Sequence, residues 1–156
     1  MKVKKLAKMS ESEINSAINS QNICRIAFID DDYPYISPFQ YVSIDNVLYF
    51  HFTDYGKKKN ILTKNPNVCV SIEHFKADLS SYYFISMQGK LNLVEDIDLK
   101  AKVITQMMEF ARKNYSKNFL MAHGYEKEEN WEILISRNQL IYNLVVMNEP
   151  IGLKSS

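Results

Sequence analysis

Short stretches of alternating apolar and polar side chains dominate this chain up to residue 94, and a period of two is the signature of strands. The pattern predicts strands over residues 23–29, 35–44, 47–53, 68–73 and 82–94. Asp30-Asp31-Asp32-Tyr33-Pro34 and then Asp45-Asn46 separate the first three, and Asp and Asn tolerate the left-handed backbone of hairpin turns. Pro38 lies in mid-strand and cannot donate to a ladder, so its strand needs an open edge or a bulge there. Gly89 interrupts the long strand, where a bulge or a barrel corner is expected.

Helical spacing marks fewer segments. Ser10 and Glu13 form an S-x-x-E capping box ahead of the apolar stripe Ile14, Ala17 and Ile18. Residues 98–115 read as the strongest helix, with Leu99, Val103, Met107, Phe110 and Ala111 on one face. Residues 116–130 leave room for a short helix. Residues 131–146 read as a strand pair or one bent strand, with Arg137-Asn138 at its turn or bulge. The first nine residues and the stretch from 149 to 156 read as peripheral to a single domain spanning 1–156. Strands joined by hairpin turns rather than by helices imply a mainly β fold, an antiparallel barrel with helical covers.

One stretch adds candidate chemistry. The strand ending at Thr53 runs into Asp54-Tyr55-Gly56, and Lys57, Lys58 and Lys59 then open a short helix that stops before Pro66. A helix start offers unpaired N–H groups and a partial positive charge, to which the lysines add full charges and Thr53 a hydroxyl. A phosphate would sit there. A solvated lysine run on a surface loop accounts for the same residues equally well. The patterns G-x-x-x-x-G-K-[ST] and G-x-G-x-x-G are absent, which disfavours a P-loop or a Rossmann dinucleotide site.

Composition narrows the partners. With 19 basic and 18 acidic residues the net charge is +1, which argues against a duplex-DNA binder. Ten tyrosines and eight phenylalanines would allow stacking of single-stranded nucleic acid, but near-neutrality counts against that too, so no nucleic-acid partner is expected. Cys24 and Cys69 form no CxxC and suit a reducing compartment. The start MKVKKLAKMSES has no apolar signal core, and no run is long enough to span a membrane, so a cytoplasmic location is expected. Asp30, Asp31 and Asp32 read as an acidic turn rather than a metal loop. His51, His74 and His123 are scattered, so no metal site is expected. His51 either faces a bound group or satisfies a neighbour inside the barrel.

In order, the segments ICRIAFIDDDYPYISPFQYVSI, NVLYFHFTDYGKKKNILTKNPNVCVSIE and ISMQGKLNLVED resemble the pyridoxamine 5′-phosphate oxidase-like, FMN-binding split β-barrel family, most of all its short nitroimidazole-resistance-like and flavin reductase branch. The resemblance implies a six-stranded antiparallel split β-barrel that forms a homodimer with FMN in two interface grooves. It further implies a flavoprotein oxidoreductase taking electrons from NAD(P)H to a small-molecule acceptor. The family's phosphate-binding stretch corresponds to Lys57 and Lys58. Its flavin-lining strand corresponds to His51, Phe52 and Thr53, and the strand beside the ring to Ser37, Pro38, Phe39 and Gln40. A polar position on its long strand corresponds to Gln88. Lys57 stands where arginine is common, and a lysine offers a point charge in place of a bidentate fork. The Arg-based C-terminal motif of true pyridoxamine phosphate oxidases has no counterpart in NLVVMNEPIGLKSS. Relatives of this barrel also bind haem or deazaflavin, and a non-catalytic flavin or haem carrier or sensor would carry the same residues.

Overall fold

The computed structural model describes residues 5–136 and 139–155. Its strands are β1 (Ala7–Lys8), β2 (Ile23–Asp30), β3 (Tyr33–Ile44), β4 (Val47–Phe52), β5 (Asn67–Phe75), β6 (Tyr82–Leu93), β7 (Leu140–Val146) and β8 (Ile151–Lys154). The helices are α1 (Glu11–Ser20), α2 (Lys57–Lys64), α3 (Ile97–Asn114), α4 (Asn118–Ala122) and α5 (Ile133–Ser136). Strands run β1-β8-β6-β5-β2-β3-β4-β7, and β7 returns to β6, which closes a six-stranded antiparallel barrel and leaves β8 and β1 as an annex.

Local chemistry explains most of the boundaries. Asp31 has a φ of 52°, so the first hairpin is tighter than expected and Tyr33 and Pro34 already pair with Asp30 and Ile29. Asp45 and Asn46, with φ of 52° and 62°, make the second hairpin turn as anticipated. The capping box is intact: Glu13 N donates to Ser10 Oγ at 3.2 Å, and Ser10 N donates to Glu13 Oε2 at 2.8 Å. Asp96 Oδ1 accepts from Leu99 N at 2.7 Å and starts α3.

Alternation sorts the side chains into an interior and an outer layer. Ile26, Phe28, Phe50, Val70, Ile72, Ile85 and Met87 fill the barrel and are almost wholly buried. Outside it, Val42, Tyr49 and Ile141 of β3, β4 and β7 pack beneath Val103 and Ile104 of α3. The stripe that α3 buries is Val103, Ile104, Met108 and Ala111, turned slightly from the face read in the sequence. A third cluster joins Met108 and Ala111 to Leu120, Tyr125 and Trp131 of the segment around α4.

Gly89 carries no bulge. The β5–β6 register runs unbroken from Asn67↔Lys90 to Phe75↔Tyr82. Gly89 instead marks the corner where β6 changes its other partner, from β8 along Tyr83–Ser86 to β7 along Gly89–Leu93. A Cβ there would lie 2.3 Å from the Val145 carbonyl oxygen, so only glycine admits β7.

Two expectations fail at the C-terminal side. Residues 131–146 are neither a strand pair nor one strand: α5 precedes β7, because Ile133-Leu134-Ile135 is an apolar run with no period that separates helix from strand. The expected turn at Arg137-Asn138 lies outside the described residues. The final stretch is not peripheral: Ile151–Lys154 pairs with β6 on one side and with Ala7–Lys8 on the other, and Lys154 forms an ion pair with Glu13. Among the described residues no helix is long and apolar enough to cross a membrane.

Candidate functional site

β3 and β4 are paired only in part. Their ladder runs from Ile44↔Val47 to Tyr41↔Phe50 and stops. Beyond it, Tyr33–Gln40 stays paired with β2 on one side and, among the described residues, has no strand on the other. Pro38 lies on this open edge, which is how the sheet accommodates it. Had the ladder continued, Gln40 would face His51, and Phe39 would face Phe52. The rings of Phe39 and Phe52 do meet, with centroids 4.9 Å apart, so side chains bridge the split where backbone bonds do not.

A cleft of about 720 Å³ opens over this split, between the barrel wall and the cover formed by α3, α4 and the segment around α5. Pro38, Phe39, Gln40, His51, Phe52 and Thr53 line the barrel side, and Lys58 reaches in from α2. The sequence reading named all seven, and the fold brings them together. Three other candidates stand elsewhere. Ser37 is buried on the face of β3 that points into the barrel. Gln88 accepts a hydrogen bond from Asn148 Nδ2 at 2.9 Å and lines a smaller, separate cleft with Cys69 and Met147. Lys57 turns away to Asp30, its Nζ 2.9 Å from Oδ2 and 4.7 Å from the Tyr35 ring centroid. That hydrogen bond and the Asp30 charge raise the pKa of Lys57.

The lysine run therefore divides its labour. Lys57 pairs with Asp30 and Lys59 with Asp54 at 3.0 Å, while Lys58 has no carboxylate partner among the described residues and lies 4.8 Å from the centroid of the Phe39 ring. Gly56, at φ 90°, makes the sharp entry to α2, and no side-chain hydrogen bond from the described residues caps that helix. Its first-turn N–H groups and Lys58 together form a cationic end to the cleft. The Thr53 hydroxyl donates to the Tyr55 carbonyl at 2.9 Å and so braces the turn, and its oxygen can accept but its proton is already committed.

Two features of the cleft were not legible in the sequence. The Gln40 Nε2 atom is buried with no hydrogen-bond acceptor among the described residues. His123, at the end of α4, comes within 6.2 Å of His51, centroid to centroid, and its Nδ1 lies 2.8 Å from the Phe119 carbonyl. That carbonyl can only accept, so Nδ1 carries the proton and Nε2 is left for the cleft in the neutral ring. Burial first, then the neighbouring His123, drives the His51 pKa down to about 4, against a hydrogen bond with Gln139. His51 is therefore a neutral imidazole at neutral pH. Cys24, by contrast, is sealed in the barrel, where burial pushes its thiol up to about 12 and makes it inert. Among the described residues no cluster of His, Cys, Asp and Glu could hold a metal ion.

A barrel closed by six antiparallel strands, with one strand pair parted beneath a cleft, defines the split β-barrel class. Residues 10–135 match the family described as pyridoxamine 5′-phosphate oxidase, and the chain belongs to that family. Solved structures repeat the fold across nearly the whole chain. An FAD-binding protein of Mesorhizobium loti is 17% identical, with a TM-score of 0.64 over 97% of this chain and 99% of that one. A proposed 5-nitroimidazole antibiotic resistance protein of Bacteroides thetaiotaomicron is 21% identical, with a TM-score of 0.64 over 97% and 91%. The haem storage protein HutZ of Vibrio cholerae is 16% identical, with a TM-score of 0.64 over 92% and 94%. No curated protein matches the sequence.

Proposed function

We propose that this protein binds FMN and, as a homodimer, passes electrons from NAD(P)H to a small-molecule acceptor. The observation that carries the reading is the uncapped start of α2, which opens beside Lys58 onto one end of the cleft. The donor set suits a phosphate: backbone N–H groups plus one uncommitted ammonium. The rest of the cleft suits a ring system, with Pro38, Phe39 and Phe52 as apolar surface. When bound, the flavin supplies the redox chemistry. The chain's own part is to hold the phosphate on Lys58 and the α2 start, and to line the ring's surroundings without a charge at His51.

Dimerisation has its own support. Ile29 and Ile36 are about half exposed on the outer faces of the neighbouring strands β2 and β3, an apolar spot that suits a second copy. FMN titration of the purified protein tests the main reading, followed by flavin fluorescence and absorbance. Lys58→Ala is expected to weaken FMN binding about tenfold, as loss of a charged hydrogen bond would, and Lys57→Ala much less. Equal, small effects would remove the phosphate assignment. The family likeness to a haem storage protein and the presence of His51 and His123 on the cleft support a haem carrier as the second reading. A Soret band after haem addition that is lost in His51→Ala, with no flavin retained, would select it.

A further inference from the structure

The loop joining β5 to β6 sets a side chain against its own backbone. Lys76 to Leu79 form a tight turn, closed by Leu79 N donating to the Lys76 carbonyl at 2.8 Å, and Lys76 N donates to the Ser81 carbonyl at 2.9 Å. Leu79 takes the left-handed conformation, with a φ of 56°, a place that glycine or asparagine fills at less cost. Burial does not compensate: Leu79 is 62% exposed, and Phe75 at the foot of the loop is 59% exposed. A residue held against its backbone preference, with no gain inside the fold, points to a role outside it. Single exposed apolar side chains are ordinary, but these two have company. Ala7 pairs with Lys154, Lys154 with Tyr83, and Tyr83 with His74. The residues leading into β1 therefore emerge at the same end of the sheet as the loop, and they are Lys5 and the 37% exposed Leu6.

We infer that this end of the sheet docks on an anionic lipid bilayer, with Leu79 and Phe75 entering the headgroup layer and the lysines around them facing lipid phosphates. Charge complementarity selects that partner. Lys5, Lys8 and Lys76 are exposed and have no carboxylate partner among the described residues, and the sequence ahead of Lys5 adds Lys2 and Lys4. Asp78, whose carboxylate accepts from Ser80 N at 3.0 Å, is the acidic residue of the loop itself. Glu73 and Lys154, on the strands behind, are already paired with Arg25 and Glu13. Shape agrees with charge. Apolar side chains at a hairpin tip make a projection, and a bilayer interface accepts a projection of any outline, whereas a folded partner would need a matching groove. Two apolar side chains and a few lysines give reversible attachment rather than anchoring. The cleft is lined by other residues, and the apolar spot at Ile29 lies beside Phe28, which pairs with Val68 near the opposite end of β5. Docking here is thus independent of the flavin reading and leaves a dimer contact at Ile29 free.

Co-sedimentation of the full chain with vesicles tests this, using phosphatidylcholine alone or with about 30% phosphatidylglycerol, at about 0.1 M salt. Binding is expected with the anionic vesicles only, and is expected to fall as added salt screens the lysines. Leu79→Asn suits the left-handed backbone, so its melting temperature is expected at or above that of the unaltered protein. Its vesicle binding is expected to weaken by about tenfold or more, as loss of a buried leucine would. Lys5→Gln combined with Lys76→Gln is expected to weaken binding about 25-fold, roughly fivefold for each lysine. Ile97→Asn, at an 81% exposed apolar residue at the start of α3, is expected to leave vesicle binding unchanged. Equal binding to neutral vesicles, binding to neither, or binding that ignores Leu79 or the two lysines overturns the inference. An equal loss in Ile97→Asn does the same, since the contact is then not confined to this end. A lower melting temperature in Leu79→Asn would assign the leucine to the fold, and a changed oligomeric state by light scattering would assign it to a protein contact. Either result also overturns the inference.

Discussion

The two halves of the β3–β4 pair behave as different materials. From Tyr41 to Ile44 and Val47 to Phe50, backbone hydrogen bonds hold the strands, and side chains are packed on both faces: Leu48 and Phe50 inside the barrel, Val42 and Tyr49 beneath α3. From Gln40 outward the strands separate, and the contact is a ring pair, Phe39 with Phe52. A ladder tolerates almost no displacement, whereas two rings can slide. The same two strands thus supply a rigid hinge line and, a residue later, a mouth with free backbone edges. The cleft lies over the mouth, where a ligand meets the least competition from the protein's own bonds.

Breaking the closed half is expected to have the largest effect. Phe50 is fully buried and touches Phe39 at 6.0 Å between centroids, so Phe50→Ala should cost about 3–5 kcal/mol in urea unfolding. A loss below about 1 kcal/mol would mean that the barrel interior collapses around the gap.

The open half is better probed by pH. His51 has a folded-state pKa near 4, below its unfolded value, so the unfolded chain binds the extra proton first as pH falls. Stability from its neutral burial is fully present above about pH 6.5 and declines down to about pH 4. Denaturant midpoints taken across that window are expected to fall for the unaltered protein and to fall less for His51→Gln. Identical slopes would mean that His51 is exposed to water.

The smallest effect is expected at Pro38. Its neighbouring edge is unpaired and its side chain is exposed, so Pro38→Val should change stability by less than about 1 kcal/mol. A larger gain would show that the split closes when an N–H is restored, which would sharpen the contrast between the halves at the expense of the cleft.

How much of this could be read from residues depended on the range of the interactions involved. Strand identity and hairpin position rest on alternation and on turn residues such as Asp45-Asn46, all within a few positions of one another. The cationic end of the cleft was visible because Gly56 and Lys58 are neighbours in sequence. The assignment of roles within the lysine run was not, since Lys57 is claimed by Asp30 across a hairpin and Lys59 by Asp54. His123 could not be connected to His51 at all, because the contact depends on how α4 folds back over β4. The strand at Ile151–Lys154 was missed for another reason: four residues are too few to show a period, and its partners lie at Ala7–Lys8 and Tyr83–Ser86. Pro38 gave the most from one residue, since its missing donor implied the open edge beside which the cleft lies.

The corner at Gly89 bears on how the chain is made. β6 pairs with β5 as soon as both exist, but its other edge waits for β7 and β8, which follow only after Leu140. During synthesis at about 5–20 residues per second, the stretch from Leu93 to Leu140 keeps that edge bare for roughly a few seconds or more. A bare edge invites pairing with a second nascent chain. Gly89 and Lys90 lie on that edge, one without a side chain and the other charged, and a lysine on an open strand is a known deterrent to misassembly. Ribosome-bound intermediates ending between these two strands are where this protein has most need of a chaperone.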